Sequence, residues 1–138
     1  MKKIVALCAV ALCAVAAFAA LRVGGGKALP LAPPTSVSAG AVVTNDYVAV
    51  AGLRGIGEVV FVANALSEAS SNRTVTATLL GSDATNGPWR VVGAGSYKGA
   101  PAGVIRVPFR GDELLPYVRT ALSVTTANSV VSGVLLCN

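Results

Sequence analysis

The chain has 138 residues, 54% of them hydrophobic and 12% charged, with a formal net charge of +5 and no histidine. This apolar content, combined with a charged fraction of about half the usual quarter, excludes a disordered chain and a coiled coil. The absence of histidine excludes Ser-His-Asp and Cys-His nucleophiles and histidine-bound metals, which removes most hydrolases and zinc proteins. The function we expect is non-enzymatic and needs no cofactor.

The positive charge is concentrated near the amino terminus. Residues 1–36 contain four basic residues and no acids, whereas the remaining 102 residues contain seven basic and six acidic residues. The body of the protein is therefore almost neutral, and it has no cluster of Lys and Arg with interleaved aromatic residues. Nucleic acid is not expected as a partner.

The first segment is a long apolar run that begins directly after Lys2 and Lys3. Residues 4–21 are 18 residues without a polar side chain. As a helix this run is about 27 Å long, enough for a thin hydrocarbon core. We predict a hydrophobic helix over residues 1–22, and the sequence leaves three roles open. It is a signal peptide cleaved near Ala19, a retained anchor in contact with a membrane, or a helix buried between subunits.

A segment rich in glycine and proline follows. It contains three consecutive glycines before Lys27 and three prolines between residues 30 and 34. Glycine gives flexibility and proline favours extended geometry, so such a segment can reach across a distance without a core of its own. We predict a linker arm over residues 23–36 and a folded domain over residues 37–138.

Apolar residues recur at every second position through the folded domain, which is the period of a half-buried β-strand. The clearest runs are Thr74–Leu80, Val104–Arg110 and Tyr117–Thr125. Further runs predict strands over Ala41–Thr44, Tyr47–Ala51, Gly57–Ala65, Trp89–Ala94 and Ser129–Leu136. About seven or eight strands in this length predict an all-β fold: a single jelly-roll-like β-sandwich preceded by the hydrophobic helix and the arm.

One predicted strand, Gly57–Ala65, is apolar on both faces. Val60 and Val62 point away from the face that carries Phe61. Such a strand is central in its sheet or is covered by a neighbouring subunit. We therefore assign Val60 and Val62 to a candidate assembly interface.

Three further residues are candidates for the same interface. Arg106 and Arg110 lie on the outward face of a predicted strand, where they solvate an edge or contact an acidic neighbour in an assembly. Trp89 is the only tryptophan in the chain. It packs in the core or in an interface, or it forms with Tyr97 a platform on which a sugar stacks.

The three cysteines cannot form a fully paired set within one chain. Cys8 and Cys13 lie in the apolar run, where they act as small hydrophobic residues. Cys137 is the penultimate residue, and two interpretations remain open for it: an unreacted thiol, or a crosslink between subunits.

The carboxy-terminal part of the chain carries a recognisable pattern. The segment Val104-Ile-Arg-Val-Pro-Phe is followed by Gly-Asp-Glu-Leu-Leu-Pro and by a strand that starts Tyr117-Val-Arg. Together with its upstream strands, this pattern resembles small β-sandwich structural proteins of tailed and related bacteriophages over residues 57–136. The resemblance implies a virion component that coats, cements or decorates a capsid. It further implies that copies of the chain and other capsid proteins are the partners, and that there are no catalytic residues.

Two other hypotheses come from different classes of protein. Decorating proteins of that kind usually lack an apolar run like residues 4–21, which fits an exported bacterial β-sandwich equally well. Such a protein is a surface adhesion, a pilus-like subunit or a binding module, located in the periplasm, at the cell surface or at a membrane. The third hypothesis is a secreted carbohydrate-active enzyme that uses Asp83 and Asp112 as its two carboxylates.

Overall fold

The computed structural model describes residues 27–50, 55–65, 71–99, 102–110 and 112–137. Within these ranges the chain forms nine β-strands, and no helix there is long and apolar enough to cross a membrane. The hydrophobic helix predicted over residues 1–22 lies outside the described residues, as do residues 23–26 of the predicted arm. The strands are β1 (Lys27–Val37), β2 (Val42–Thr44), β3 (Val48–Ala49), β4 (Ile56–Ala65), β5 (Thr74–Ser82), β6 (Arg90–Lys98), β7 (Gly103–Arg110), β8 (Tyr117–Val124) and β9 (Ser129–Cys137).

The strands form two antiparallel sheets. The first sheet has the order β1-β9-β4-β7, and the second has the order β2-β8-β5-β6, with β3 paired to β8 on the same edge as β2. Consecutive strands alternate between the sheets except at β2–β3 and β5–β6, which is the connectivity of a jelly roll. The all-β sandwich predicted from the sequence is confirmed.

The core lies between the sheets and follows the alternation in the sequence. Buried and exposed residues alternate along the whole of β7, and buried residues alternate with half-buried ones along β8 and most of β5. The three clearest predicted strands are therefore confirmed. Among the largest side chains that are fully buried in this core are Leu31, Phe61, Leu79, Ile105, Leu122 and Leu135.

Strand β1 corrects the prediction of a linker arm over residues 23–36. It pairs with β9 from Lys27 to Val37, and its Leu31 is 2% exposed within the core. Proline is compatible with this position because β1 is an edge strand, where one side of the backbone needs no hydrogen-bond partner. Two irregularities in the β1–β9 register lie next to the prolines. The folded domain therefore includes residues 27–36.

Strand β6 continues to Lys98, four residues beyond the predicted strand Trp89–Ala94. The reason is that its glycines allow close packing between the sheets. A Cβ atom on Gly93 would lie 2.7 Å from a methyl of Val107, and one on Gly95 would lie 2.7 Å from a methyl of Ile105. Glycine here serves the close approach of β6 to β7 and not a chain reversal.

The connections define two ends of the sandwich. At one end, which we call the N-terminal end, β1 begins and β9 finishes, and Lys27 pairs with Cys137. The β3–β4, β5–β6 and β7–β8 connections lie at this same end, and the remaining connections between the sheets lie at the opposite end. Strands of this length separate the two ends by about 30 Å.

Candidate interaction surfaces

Two central strands of the first sheet, β4 and β9, have a largely apolar outward side, which distinguishes them from β5 of the second sheet. On β4 and β9 the residues that alternate with the core are mostly aliphatic, namely Val60, Val62, Val130, Val134 and Leu136. On the second sheet, the outward positions of β5 are three threonines before Leu80, and Ser96 pairs with Thr76. Antiparallel sheets usually carry polar residues on a solvated face. The first sheet therefore has the outward composition of a contact surface.

Val60 and Val62 lie on this outward face, but they differ in accessibility. Val60 is 2% exposed, whereas Val62 is half-buried. Their strand β4 lies between β9 and β7, so it is central in the sheet, as one explanation of its double apolar pattern predicts. Val60 is thus already covered within the single chain. The outward aliphatic side chains that stay accessible are Ile56, 73% exposed at the N-terminal end, and Val104, 52% exposed toward the opposite end.

Arg106 and Arg110 lie on the outward face of β7, as the alternation predicts. The Nη1 atom of Arg106 donates a hydrogen bond of 2.6 Å to Oε1 of Glu58. The acidic neighbour of Arg106 therefore comes from its own chain, in a surface ion pair worth about 1 kcal/mol or less. The backbone N–H of Arg110 donates to the carboxylate of Glu113 at 3.0 Å and helps to hold the turn after β7.

Three aromatic residues and one arginine form a cluster on the second sheet near the N-terminal end, which we call the aromatic cluster. The rings of Tyr47 and Tyr117 meet edge to face with centroids 5.5 Å apart. The guanidinium carbon of Arg119 lies 4.1 Å from the ring centroid of Trp89, a cation–π contact. Nε of Arg119 is buried without a hydrogen-bond partner, so the cation–π contact with Trp89 is the main interaction that offsets the cost of burying this polar atom. Trp, Tyr and Arg are the residue types that dominate binding hot spots.

The structure does not bring Trp89 and Tyr97 together, so the predicted sugar platform is not formed. Trp89 immediately precedes β6, whereas Tyr97 lies near the other end of that strand and packs over Gly103. Sequence reasoning missed the actual neighbours of Trp89. The one available signal was that Tyr117 and Arg119 occupy successive outward positions of an alternating strand.

The burial of Cys137 argues against the predicted crosslink between subunits. Cys137 is 5% exposed and belongs to the hydrophobic core. A disulfide with another chain requires an accessible thiolate. Cys8 and Cys13 lie outside the described residues.

We expect the thiol of Cys137 to react slowly in the folded protein. In a full-length variant with Cys8→Ala and Cys13→Ala, a water-soluble disulfide reagent should modify Cys137 about a hundredfold faster in urea than in buffer. After mild oxidation this variant should migrate as a monomer on a non-reducing gel. Equal rates in the folded and unfolded states would contradict the burial, and a dimer band would restore the crosslink.

A cleft of about 370 Å³ lies at the edge of the sandwich where β1 faces the β2–β3 segment. Its lining consists of Pro30, Leu31, Pro33, Thr44, Asn45, Asp46, Tyr47 and Val48. The Asn45 amide donates to Oγ1 of Thr120 at 3.0 Å, and its carbonyl oxygen accepts a hydrogen bond of 3.3 Å from Thr35. Asn45 therefore ties the two sheets together at this edge, which is a structural role.

The acids that an enzyme would need lie on separate connections. Asp83 follows β5 and lies 4.0 Å from Arg90, and Asp112 is exposed between β7 and β8. In the part of the chain that the structure describes, no three Cys, Asp or Glu side chains are grouped so that they could hold a metal ion.

Similar folds occur within longer proteins of known structure. The chain matches the PBSX exported protein XepA with a TM-score of 0.53 and 14% identity, covering 81% of this chain and 37% of XepA. It matches the T=1 particles derived from infectious bursal virus with a TM-score of 0.53 and 11% identity, covering 80% of this chain and 30% of that one. It matches the VP2 subviral particle of infectious bursal disease virus with a TM-score of 0.51 and 10% identity, covering 80% of this chain and 32% of that one.

The sequence matches no protein-family model and no curated protein. The chain spans 37%, 30% and 32% of the length of the three similar structures, which is about a third of each. At identities of 10% to 14% the likeness concerns the fold. The described part of this chain is therefore a β-sandwich of a kind that also occurs in an exported protein and in virus particles.

Proposed function

We propose that this chain is a non-enzymatic structural protein of a bacteriophage particle, present in many copies as a minor capsid, decoration or cement protein. The observation that carries the proposal is the apolar outward face of the first sheet, where Ile56 and Val104 remain exposed. On the second sheet the outward positions of β5 are three threonines before Leu80, although Val42 and Val91 are exposed on β2 and β6. The mostly aliphatic outward residues of β4 and β9 form the kind of surface expected for contact between subunits.

In this proposal the partner is another copy of the chain or a second capsid protein. Complete burial of an aliphatic side chain such as Ile56 or Val104 contributes about 1.5–3 kcal/mol. The ion pair between Arg106 and Glu58 lies on the same face and gives the contact a polar element that fixes its orientation.

Two lines support a location in the virion. The resemblance of residues 57–136 to bacteriophage sandwich proteins points to capsid-associated partners. Two of the structures with the same fold are virus particles by their names.

A negative charge on the outward face of the first sheet should weaken assembly. We expect Val104→Glu to weaken association of the full-length protein at least about tenfold, because a partner would have to desolvate an unpaired carboxylate. Sedimentation velocity over a range of concentrations measures the association. Ser96→Glu adds the same charge to an exposed position on the second sheet and should leave association unchanged. Equal effects of the two variants would contradict the assignment of the surface.

The exported bacterial subunit is the second candidate, and one observation favours it. Lys2 and Lys3 before an apolar run have the pattern of a signal peptide. XepA, which has a similar fold, is itself described as an exported protein. This alternative places the sandwich in the periplasm or at the cell surface.

Intact mass separates the two candidates. The full-length chain in particles purified from its host supports the virion protein. A native protein that lacks about the first 20 residues and is absent from particles supports the exported subunit.

A further inference from the structure

Three of the four described aromatic side chains that are not fully buried lie at one end of the sandwich. Among the described aromatic residues, Phe61 and Phe109 are buried in the core, and Tyr97 is half-buried near the opposite end, where it packs against the core. The other three are Tyr47, Trp89 and Tyr117, all members of the aromatic cluster near the N-terminal end.

The same end receives the chain from the predicted hydrophobic helix. Strand β1 begins there at Lys27, paired with the last residue of β9. Five residues, which make six peptide steps, separate Lys27 from Leu21, the last residue of the apolar run. Even when fully extended they span about 20 Å, which is less than the length of the sandwich. A membrane that holds residues 4–21 therefore faces the N-terminal end of the sandwich and not the opposite end.

The chemistry of this end suits the boundary between lipid and water. Trp and Tyr are enriched at that boundary because each combines an apolar ring with a polar group. Arg119 stacks on Trp89, and Arg90 is exposed beside it. The exposed side chains of Ile56 and Val91 add apolar area at the same end. The acids Asp83, Asp112 and Glu113 offset the basic residues, so aromatic and apolar contacts carry the attraction more than net charge does.

We infer that the sandwich docks end-on against a lipid bilayer, with the aromatic cluster at the level of the headgroups. This inference is independent of the phage particle, because any membrane that holds residues 4–21 presents the same surface. The hydrophobic segment keeps the chain at the bilayer, and the aromatic cluster sets the orientation of the folded domain.

The single tryptophan makes the docking directly measurable. The full-length chain is reconstituted into phosphatidylcholine vesicles with and without lipids that carry bromine on the acyl chain near the headgroup. Flotation confirms that the protein is bound. We expect the emission of Trp89 to shift to the blue and to fall about twofold or more with the brominated lipid.

A relocated reporter tests the orientation. Trp89→Phe combined with Val104→Trp moves the only tryptophan to an exposed position at the opposite end, about 30 Å away, where brominated lipid should not quench it. Quenching of both reporters would show a sandwich lying on its side. A bound protein in which neither is quenched would show a cluster that faces a protein partner. Either result overturns the inference, as does a full-length chain that fails to float with vesicles.

Two matched substitutions test the contribution of the aromatic cluster. Tyr47→Ser should lower the quenching of Trp89, because Tyr47 is 48% exposed in the cluster. Val42→Ser alters a side chain that is 69% exposed at the start of β2, toward the opposite end, and should leave the quenching unchanged. The same decrease in both variants, or in neither, contradicts a specific role of the cluster.

Discussion

Replacing Arg73 with methionine is expected to lower the free energy of unfolding by about 3 kcal/mol. Arg73 is fully buried at the opposite end of the sandwich, just before β5. Its Nε donates to the carbonyl of Gly99 at 3.0 Å, and its Nη1 donates to Oγ of Ser129 at 2.8 Å. The guanidinium also lies 5.9 Å from the ring centroid of Tyr97. Arg73 thus joins three connections, and methionine would leave their acceptors buried without donors.

Two variants separate this role from the general loss of an arginine. Arg73→Lys keeps the charge but cannot reproduce both planar hydrogen bonds, so it should recover only part of the stability. Arg106→Met removes an arginine from an exposed ion pair and should cost about 1 kcal/mol or less. Urea denaturation followed by tryptophan fluorescence measures all three. Similar losses for Arg73→Met and Arg106→Met would show that the buried network contributes no more than a surface pair.

The position of Arg73 illustrates what a single sequence does not reveal. An arginine next to a strand has the pattern of a solvated base, and nothing in its neighbours indicates burial. The hydrogen-bond acceptors come from Gly99 and Ser129, which are 26 and 56 residues away. Such a site is defined by tertiary packing, which alternation along one strand does not encode.

Alternation did predict the strands that face solvent on one side. Strands β5, β7 and β8 have buried residues at every second position, so their inward faces could be read directly. Strand β1 could not, because its prolines hide the pattern and because an edge strand tolerates proline. The pairing with β9, which makes it a strand, depends on residues 90 or more positions away.

For the candidate surfaces, too, the sequence predicted some features and not others. The double apolar pattern of β4 correctly marked a strand that is central in its sheet, but the sequence did not show that Val60 is covered by its own chain. The contact between Trp89 and Arg119 depends on how β8, β5 and the start of β6 lie beside one another. Trp89 was a candidate from the sequence, whereas its pairing with Arg119 became visible only in the structure.

Glycine packed against an aromatic ring of the neighbouring strand is a second feature that is revealed only by the cross-strand register. Gly133 in β9 pairs directly with Phe61 in β4, and Gly57 pairs with Phe109 in β7. A Cβ atom on Gly133 would lie 2.5 Å from the Phe61 ring. The ring therefore occupies the space that a side chain would fill, which compensates for the weak packing of glycine in a strand.

Gly133→Val is accordingly expected to lower the free energy of unfolding by about 3 kcal/mol, because the Phe61 ring is fully buried and has little room to move. Phe61→Ala alone should cost about 3–5 kcal/mol. In the double variant the valine fills part of the space that the ring leaves. Its loss in the free energy of unfolding should therefore be about 2 kcal/mol smaller than the sum of the losses in the two single variants. Urea denaturation of the four proteins gives this coupling. Ala94→Val, at an exposed strand position, is the control and should be nearly neutral. Strictly additive losses would mean that Phe61 and Gly133 stabilise the sandwich independently, against the packing described.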